Sequence, residues 1–417
     1  MGNTTLSSTL MLTVAFIAAT ALVTSTPVVA QHVLVLHTFT GSNNDGAEPI
    51  AGLILDSSGN LYGTTLSGGA YGYGAVFELS RNSGGAWIEK TLHSFVNANG
   101  IDGFGPYGGL VFDASGNLYG TTFNGGTFGY GTVFKLARRA GGAWQERILH
   151  NFNDSSSDGG GPTGNLILDT AGNLYGTTTA GGAYGFGTAF KMARTTGGAW
   201  EERILHSFSE NGTDGGLPYA GLSIDALGNL YGVTFQGGAF NYGIAFKLAP
   251  SPAGWTETIL HNFNLDGSDG INPYGNLVLD ATGNLYGTTQ FGGVYGIGTA
   301  FELTPQAVGG WNETILHNFG GSGTDGYGPQ AGLALDALGN LYGTTYTGFI
   351  YVGGTVFELS PGSGGEWVER VLYGFNERSG TPWALRAPVA VGASGEVYGT
   401  AFLGGAYKFG AVYEIAP

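Results

Sequence analysis

Six histidines recur in one local context, Leu-His-x-Phe, at His37, His93, His150, His206, His261 and His317, and Tyr373 takes the seventh place. Imidazole is a common general base and metal ligand, but six copies at one repeat position cannot converge on one centre. Strand alternation sets His150 on the same face as Trp144, Ile148 and Phe152, so a packed, hydrogen-bonded histidine is expected. Glu146, from the Trp-x-Glu pattern just before it, is expected to cap or pair within its own repeat unit.

Carboxylates and aromatics form two further rings. Asp-Gly-x-x-Pro supplies Asp45, Asp102, Asp158, Asp214, Asp269 and Asp325, each 17 residues before a repeated tyrosine. A glycine-rich loop supplies Tyr71, Phe128, Tyr184, Phe240, Tyr295, Tyr351 and Tyr407. The strand order puts both loop sets on one face. Stacking aromatics and accepting acids suit a neutral carbohydrate, and the acids also suit Ca²⁺. Equally, each Asp could fix its loop and each aromatic pack between units. Asn264-Leu-Asp266-Gly-Ser-Asp269-Gly is the nearest approach to a calcium loop, with imperfect spacing. No cofactor or metal is expected, calcium being the one ion these acids would suit.

A different Asp set, Asp56, Asp113, Asp169, Asp225, Asp280 and Asp336, opens a Gly-Asn turn and is expected to hold it by bonding backbone amides, while Gly392 stands seventh. GGxxGxG lacks the GxxxxGK[ST] pattern and a following helix, so a phosphate loop is not expected. No GxSxG nucleophile is present either. No residue is singled out as catalytic.

Repetition breaks in one place. Before the last unit, Asn376-Glu-Arg-Ser-Gly-Thr-Pro-Trp-Ala-Leu-Arg386 replaces Asp-Gly-x-x-Pro, bringing Glu377, Arg378, Trp383 and Arg386. Nearby, Phe349-Ile-Tyr-Val352 alters a glycine loop and Lys408 replaces a glycine. If one unit carries ligand specificity, it is expected there, with Tyr351 and Tyr407 beside it; the other reading is that the last unit has drifted because it closes the ring.

These residues are carried by one unit of about 56 residues, marked by the tyrosine of GNLYG at Tyr62, Tyr119, Tyr175, Tyr231, Tyr286, Tyr342 and Tyr398. Each unit reads as four short strands joined by Gly-rich turns. The expected fold is therefore all-β, a seven-bladed β-propeller with four antiparallel strands per blade. The last unit stops at its third strand, Ala411–Ile415, and the missing Leu-His-x-Phe strand stands at the N-terminus as Val35–Phe39. Closure of the ring by the N-terminal strand accounts for both ends.

Glycine is 80 of 417 residues and charged residues are 11%. A net charge of −16 leaves no basic patch for nucleic acid. Without cysteine, disulfide and thiolate chemistry is excluded. Thr9 to Val23 is an uncharged apolar run, read as a secretory signal over 1–30, with a single propeller domain over 31–417. Secretion to the periplasm or cell surface, a monomeric state and no membrane span after signal removal are expected.

The units GNLYGTT…GGxxGxGTVFxL resemble the GloVer tandem repeat, known from exported bacterial proteins with various C-terminal anchors. That resemblance spans essentially the whole mature chain and implies export and a repeat fold without an established activity. The anchor of that pattern is not expected here, since the chain ends at Pro417. The DxxGNLYG hairpin is also similar to one in other bacterial propellers, including sensor and lactonase types, a likeness of turn geometry and not of chemistry. The expected function is non-enzymatic binding of a glycan or another surface ligand. The alternatives are a polysaccharide hydrolase or lyase using paired carboxylates and a purely structural surface module.

Overall fold

The computed structural model describes residues 32–417 apart from 43, 98, 99, 101, 349 and 379, so the expected leader over 1–30 and Phe349 lie outside the described residues. No helix occurs among the described residues. Glycine-rich, β-branched sequence gives short strands, and seven sheets repeat one antiparallel order. Blade 3 is typical: Ile167–Leu168, Leu174–Thr178, Thr188–Arg194 and Trp200–Ser207 pair in sequence order. Blade 1 starts at Ile54–Leu55 and blade 7 at Ala390–Val391. The first strand of each blade pairs over only two residues, less than the hydrophobic run suggests. In blade 5 the incoming Gly270–Pro273 joins the sheet as a fifth strand. In blade 3 the corresponding Gly159–Gly160 pairs separately with Ala180–Gly181.

The ring closes as the ends of the sequence predict. Val33–Thr38 pairs antiparallel with Ala411–Ile415, from Val33 opposite Ile415 to Thr38 opposite Ala411. The chain's first described strand is thus the outer strand of its last blade.

Adjacent blades are glued by buried rings. Phe152, just after the outer strand of blade 2, meets Phe190 of blade 3 edge-on at 5.2 Å, and both are fully buried. The same contact recurs at Phe39–Phe77, Phe95–Phe134, Phe208–Phe246, Phe263–Phe301 and Phe319–Phe357, with Phe375–Tyr413 completing the circle. The last glycine of GNLYG makes room for these rings: a Cβ on Gly176 would lie 2.7 Å from Phe190 Cζ. Losing one such phenyl ring costs about 3–5 kcal/mol.

The Gly-Asn turns form as expected. Asp169 Oδ1 accepts from the Ala171 and Asn173 amides, and Oδ2 accepts from Asn173 Nδ2 and the Tyr175 hydroxyl. Burial alone would raise the Asp169 pKa, but these donors hold it below its ordinary value. The turn aspartate thereby also anchors the repeated tyrosine.

Candidate functional site

The Asp-Gly-x-x-Pro aspartates are mostly buried, and each faces the histidine of the strand before it. Nε2 lies 3.0 Å from the carboxylate in His150–Asp158 and His261–Asp269, 3.1 Å in His37–Asp45 and His317–Asp325. His93–Asp102 and His206–Asp214 complete the set. The carboxylate also fixes its loop, as when Asp158 accepts from the Asn153 amide.

A glutamate completes each cluster, and here the sequence reading needs correction. Glu146 does not pair within its own blade: its carboxylate lies 3.6 Å from His93 of blade 1, on the other side of the interface. Glu257 reaches His206 and Glu313 reaches His261 in the same way. A β-bulge at the end of every outer hairpin, between Val133 and Phe134 in blade 2, shifts the register there, an irregularity that strict alternation does not reveal. Burial pushes the Glu202 carboxyl up to about 8, with the Asp158 charge adding to it. Glu369 rises to about 7 through burial and then Asp325, against the opposing His317. Glu146 is raised by burial and by Asp102, with which it shares a hydrogen bond. Burial thus disfavours the charged form of the glutamate beside the aspartate.

One interface lacks the cluster. Between blades 6 and 7 the three positions carry Tyr373, Thr381 and Val33. Thr381 Oγ1 donates to the Asn376 and Arg378 carbonyls, so the loop is fixed by a hydroxyl where a carboxylate serves elsewhere.

The aromatic ring stands on the surface. Tyr71, Phe128, Tyr184, Phe240, Tyr295 and Tyr407 are 55–62% exposed. Tyr351 differs: it is half-buried, and its ring lies where a Cβ on Gly374 would be, 2.2 Å from Cγ. Glu377, Arg378 and Lys408 are exposed, while Trp383 is half-buried in a two-residue ladder opposite Leu403.

Of the seam residues singled out, Arg386 alone lines the cavity of about 250 Å³ to which all seven blades contribute. The lining follows one repeat position, the residue after the proline of Asp-Gly-x-x-Pro. That position reads Ile50, Tyr107, Thr163, Tyr219, Tyr274, Gln330 and, in the altered blade, Arg386. The first strands converge here: a Cβ on Gly275 would lie 2.1 Å from the Gly332 amide, and one on Gly164 2.3 Å from that of Gly221. Only glycine lets the blades approach so closely. Asn165 and Asn276 add side-chain oxygens that accept from the Gly109 and Gly221 amides. The cavity is therefore the mouth of the central axis, on the face where the Asp-Gly-x-x-Pro loops run.

The walls are ordered by a second ring, the residue after Gly-Thr-Thr or its variants Gly-Val-Thr before Phe235 and Gly-Thr-Ala before Phe402. Tyr107 packs on Phe123 at 5.1 Å, and Tyr219 on Phe235 at 5.5 Å. Tyr219 and Tyr274 stack on each other at 5.2 Å and 16°. Arg386 is flanked by Tyr346 and Phe402, at 5.0 and 4.6 Å from the ring centroids. Burial pushes the Tyr274 hydroxyl above its usual range; Tyr219 and Tyr107 add to that and Arg386 opposes it. Among the described residues no Asp or Glu lines the cavity. The sequence reading stopped at the proline. Its signal was available just after the proline, where the units carry tyrosine, aliphatic, hydroxyl, amide and cationic side chains.

A family profile described as the Gloeobacter/Verrucomicrobia repeat matches residues 21–142, 89–281 and 224–417. No curated protein matches the chain in sequence. Among solved structures, a protein provisionally assigned as a 6-phosphogluconolactonase from Bacteroides uniformis is similar, at 12% identity and a TM-score of 0.50, over 82% of this chain and 88% of its own. A luciferin-regenerating enzyme is similar at 13% identity and a TM-score of 0.44, over 74% of this chain and 90% of its own. At such identity the likeness shows the fold alone.

Proposed function

We propose that this chain, which belongs to the Gloeobacter/Verrucomicrobia repeat family, is an exported binding module that holds a saccharide unit at the mouth of its central axis. One observation carries the reading: seven equivalent positions, one per blade, converge on one cavity and carry five residue types, with tyrosine in three of them. Three tyrosines offer ring faces and hydroxyls, and Thr163 and Gln330 offer further polar groups. Few polar groups set among aromatic walls are the usual composition of a small-molecule site. At about 250 Å³ the space suits one sugar unit more than a long chain. The exposed aromatics, Tyr184 among them, would then extend contact to neighbouring units of a longer glycan. The uncharged apolar run Thr9 to Val23 supports export. Hydrolysis through paired carboxylates finds no support in a lining without Asp or Glu.

An oligosaccharide array probed with the mature chain and with Tyr219→Ala tests the reading. Binding by the wild type that falls several-fold to about tenfold in the variant is expected. Equal signals from a folded Tyr219→Ala protein would move the site away from the mouth.

A further inference from the structure

Arg386 is the only charged group among the cavity-lining residues. Six blades place an uncharged residue at its position, and the chain has only 14 basic residues against 30 acidic ones. A cation placed in such a chain would ordinarily find a carboxylate. Arg370 pairs with Glu358 and Arg81 with Glu414, for example. Among the described residues no carboxylate pairs with Arg386. Its Nε is buried and unpartnered, and its one hydrogen bond is a long one of 3.4 Å to the Tyr346 hydroxyl. The guanidinium carbon lies over the Tyr346 and Phe402 rings, and apart from the bond to Tyr346 its N–H groups have no protein acceptor among the described residues. A guanidinium edge matches a carboxylate in a two-bond, planar geometry.

From these contacts we infer that the ligand is an acidic saccharide, a uronic acid unit whose carboxylate is bound by Arg386 while its ring lies against the Tyr219–Tyr274 wall. This rests on the saccharide reading above and adds its charge class. The overall charge of −16 repels anions at long range, so a carboxylate ligand needs a local cation held in a sheltered site. The missing carboxylate partner is then supplied by the ligand. Arg386 is a specificity-determining residue in this account, and the tyrosines supply most of the ring contact.

The test is calorimetric titration of the mature chain with glucuronic and galacturonic acids, with glucose and galactose, and with benzoate, which carries the carboxylate without the sugar. Galacturonate oligomers separate a terminal unit of a polymer from a free monosaccharide. The uronic acids are expected to bind about tenfold or more tighter than the neutral sugars. Arg386→Gln, with melting checked first, should abolish that preference. Arg386→Lys keeps the charge without the fork and should recover only part of it. Equal affinity for acidic and neutral sugars, or a preference that survives in Arg386→Gln, overturns the inference while leaving the saccharide site standing. Benzoate binding as tightly as the uronic acids overturns the sugar part and keeps the carboxylate part. Failure of Tyr219→Ala to weaken any sugar would instead sink the site itself.

Discussion

The interfaces between blades and the mouth of the axis are built from neighbouring residues of the same motif, yet they behave in opposite ways. The aspartate of Asp-Gly-x-x-Pro meets a histidine in all six units that have it, and a glutamate from the next blade completes the buried cluster. Five residues further on, the position after the proline carries tyrosine in three units and Ile50, Thr163 and Gln330 in the others, with Arg386 at the equivalent place in blade 7. The first set is constrained by burial, because losing any one partner strands the others without a bond. The second faces a cavity, where a change of side chain alters what can be bound and little else. The interface lacking the cluster drops His, Asp and Glu together, at Tyr373, Thr381 and Val33. That joint loss is what a mutually dependent structural unit requires.

The comparison predicts that changes to the ring's architecture act on stability, and changes at the mouth on binding. The largest effect is expected from deleting residues 31–40. The deletion strips the outer strand from blade 7 and opens an edge along Ala411–Ile415. It also removes Phe39 from Phe77. Loss of cooperative unfolding by calorimetry is expected; a melt like that of the mature chain would refute closure by this strand.

Next in size is Phe152→Ala, which empties a fully buried contact between blades 2 and 3. Denaturant unfolding should report a loss of about 3–5 kcal/mol. Asp158→Ala is expected to cost less, roughly 1–3 kcal/mol, by leaving His150 and the Asn153 amide without their acceptor. A mouth change such as Tyr219→Ala should cost less stability than Phe152→Ala while weakening sugar binding. Equal stability losses at the two places would remove the distinction between scaffold and site.

The clusters also predict a pH dependence. Glu202 and Glu369 have folded pKa values raised to about 8 and about 7 from an ordinary 4.5. Their protonated forms therefore favour the fold below about 4.5, and that contribution is lost as pH rises through the raised values. Burial alone would lower His206, but its bond to Asp214 and the Glu257 charge raise it above 6.5, so its contribution is also lost on going alkaline. Asp214 works the other way: burial raises it, the His206 bond lowers it by more, and its contribution is lost only in acid below 3.8. Between about pH 4.5 and 8 the net slope is downward. Melting temperature should fall across that range, and Glu202→Gln should remove up to one proton's share, at most about 1.4 kcal/mol per pH unit. A flat profile in the wild type would mean that the glutamates are ionised and accommodated in some other way.

The period, the strand count and the closure were legible because repetition itself is the signal: the spacing of seven tyrosines and the displaced Leu-His-x-Phe strand needed no three-dimensional information. The turn role of Asp169 followed from local chemistry. Two things were not legible. The partner of Glu146 lies in another blade, a contact that depends on how twisted sheets meet. The mouth residues lie one per unit, so no local stretch of sequence shows Tyr107, Tyr219, Tyr274 and Arg386 as one site. Arg386 was found because it sat in a loop that had lost its motif, while the three tyrosines were hidden inside motifs that had kept theirs.

The smallest expected effect concerns calcium, and it sharpens the contrast by asking whether the constant clusters do anything beyond holding blades together. Their geometry satisfies a first condition for a cation: one atom each from His37, Asp45 and Glu89 lies within 4.8 Å of the others, and five further groups among the described residues meet the same condition. The chemistry points elsewhere. Ca²⁺ takes six to eight oxygen ligands, most of them charged or carbonyl. Here one of three groups is an imidazole, burial disfavours the charged form of the glutamate, and the aspartate is engaged by histidine and backbone amide. The loop closest to a calcium pattern is closed on itself: Asp266 accepts from the Ser268 amide and hydroxyl and from the Asp269 amide, while Asp269 faces His261. A chelator should therefore leave the melting temperature unchanged. A drop that added calcium reverses would show, by mass action, an ion bound to the folded state, and the constant ring would then have to be counted among the binding sites.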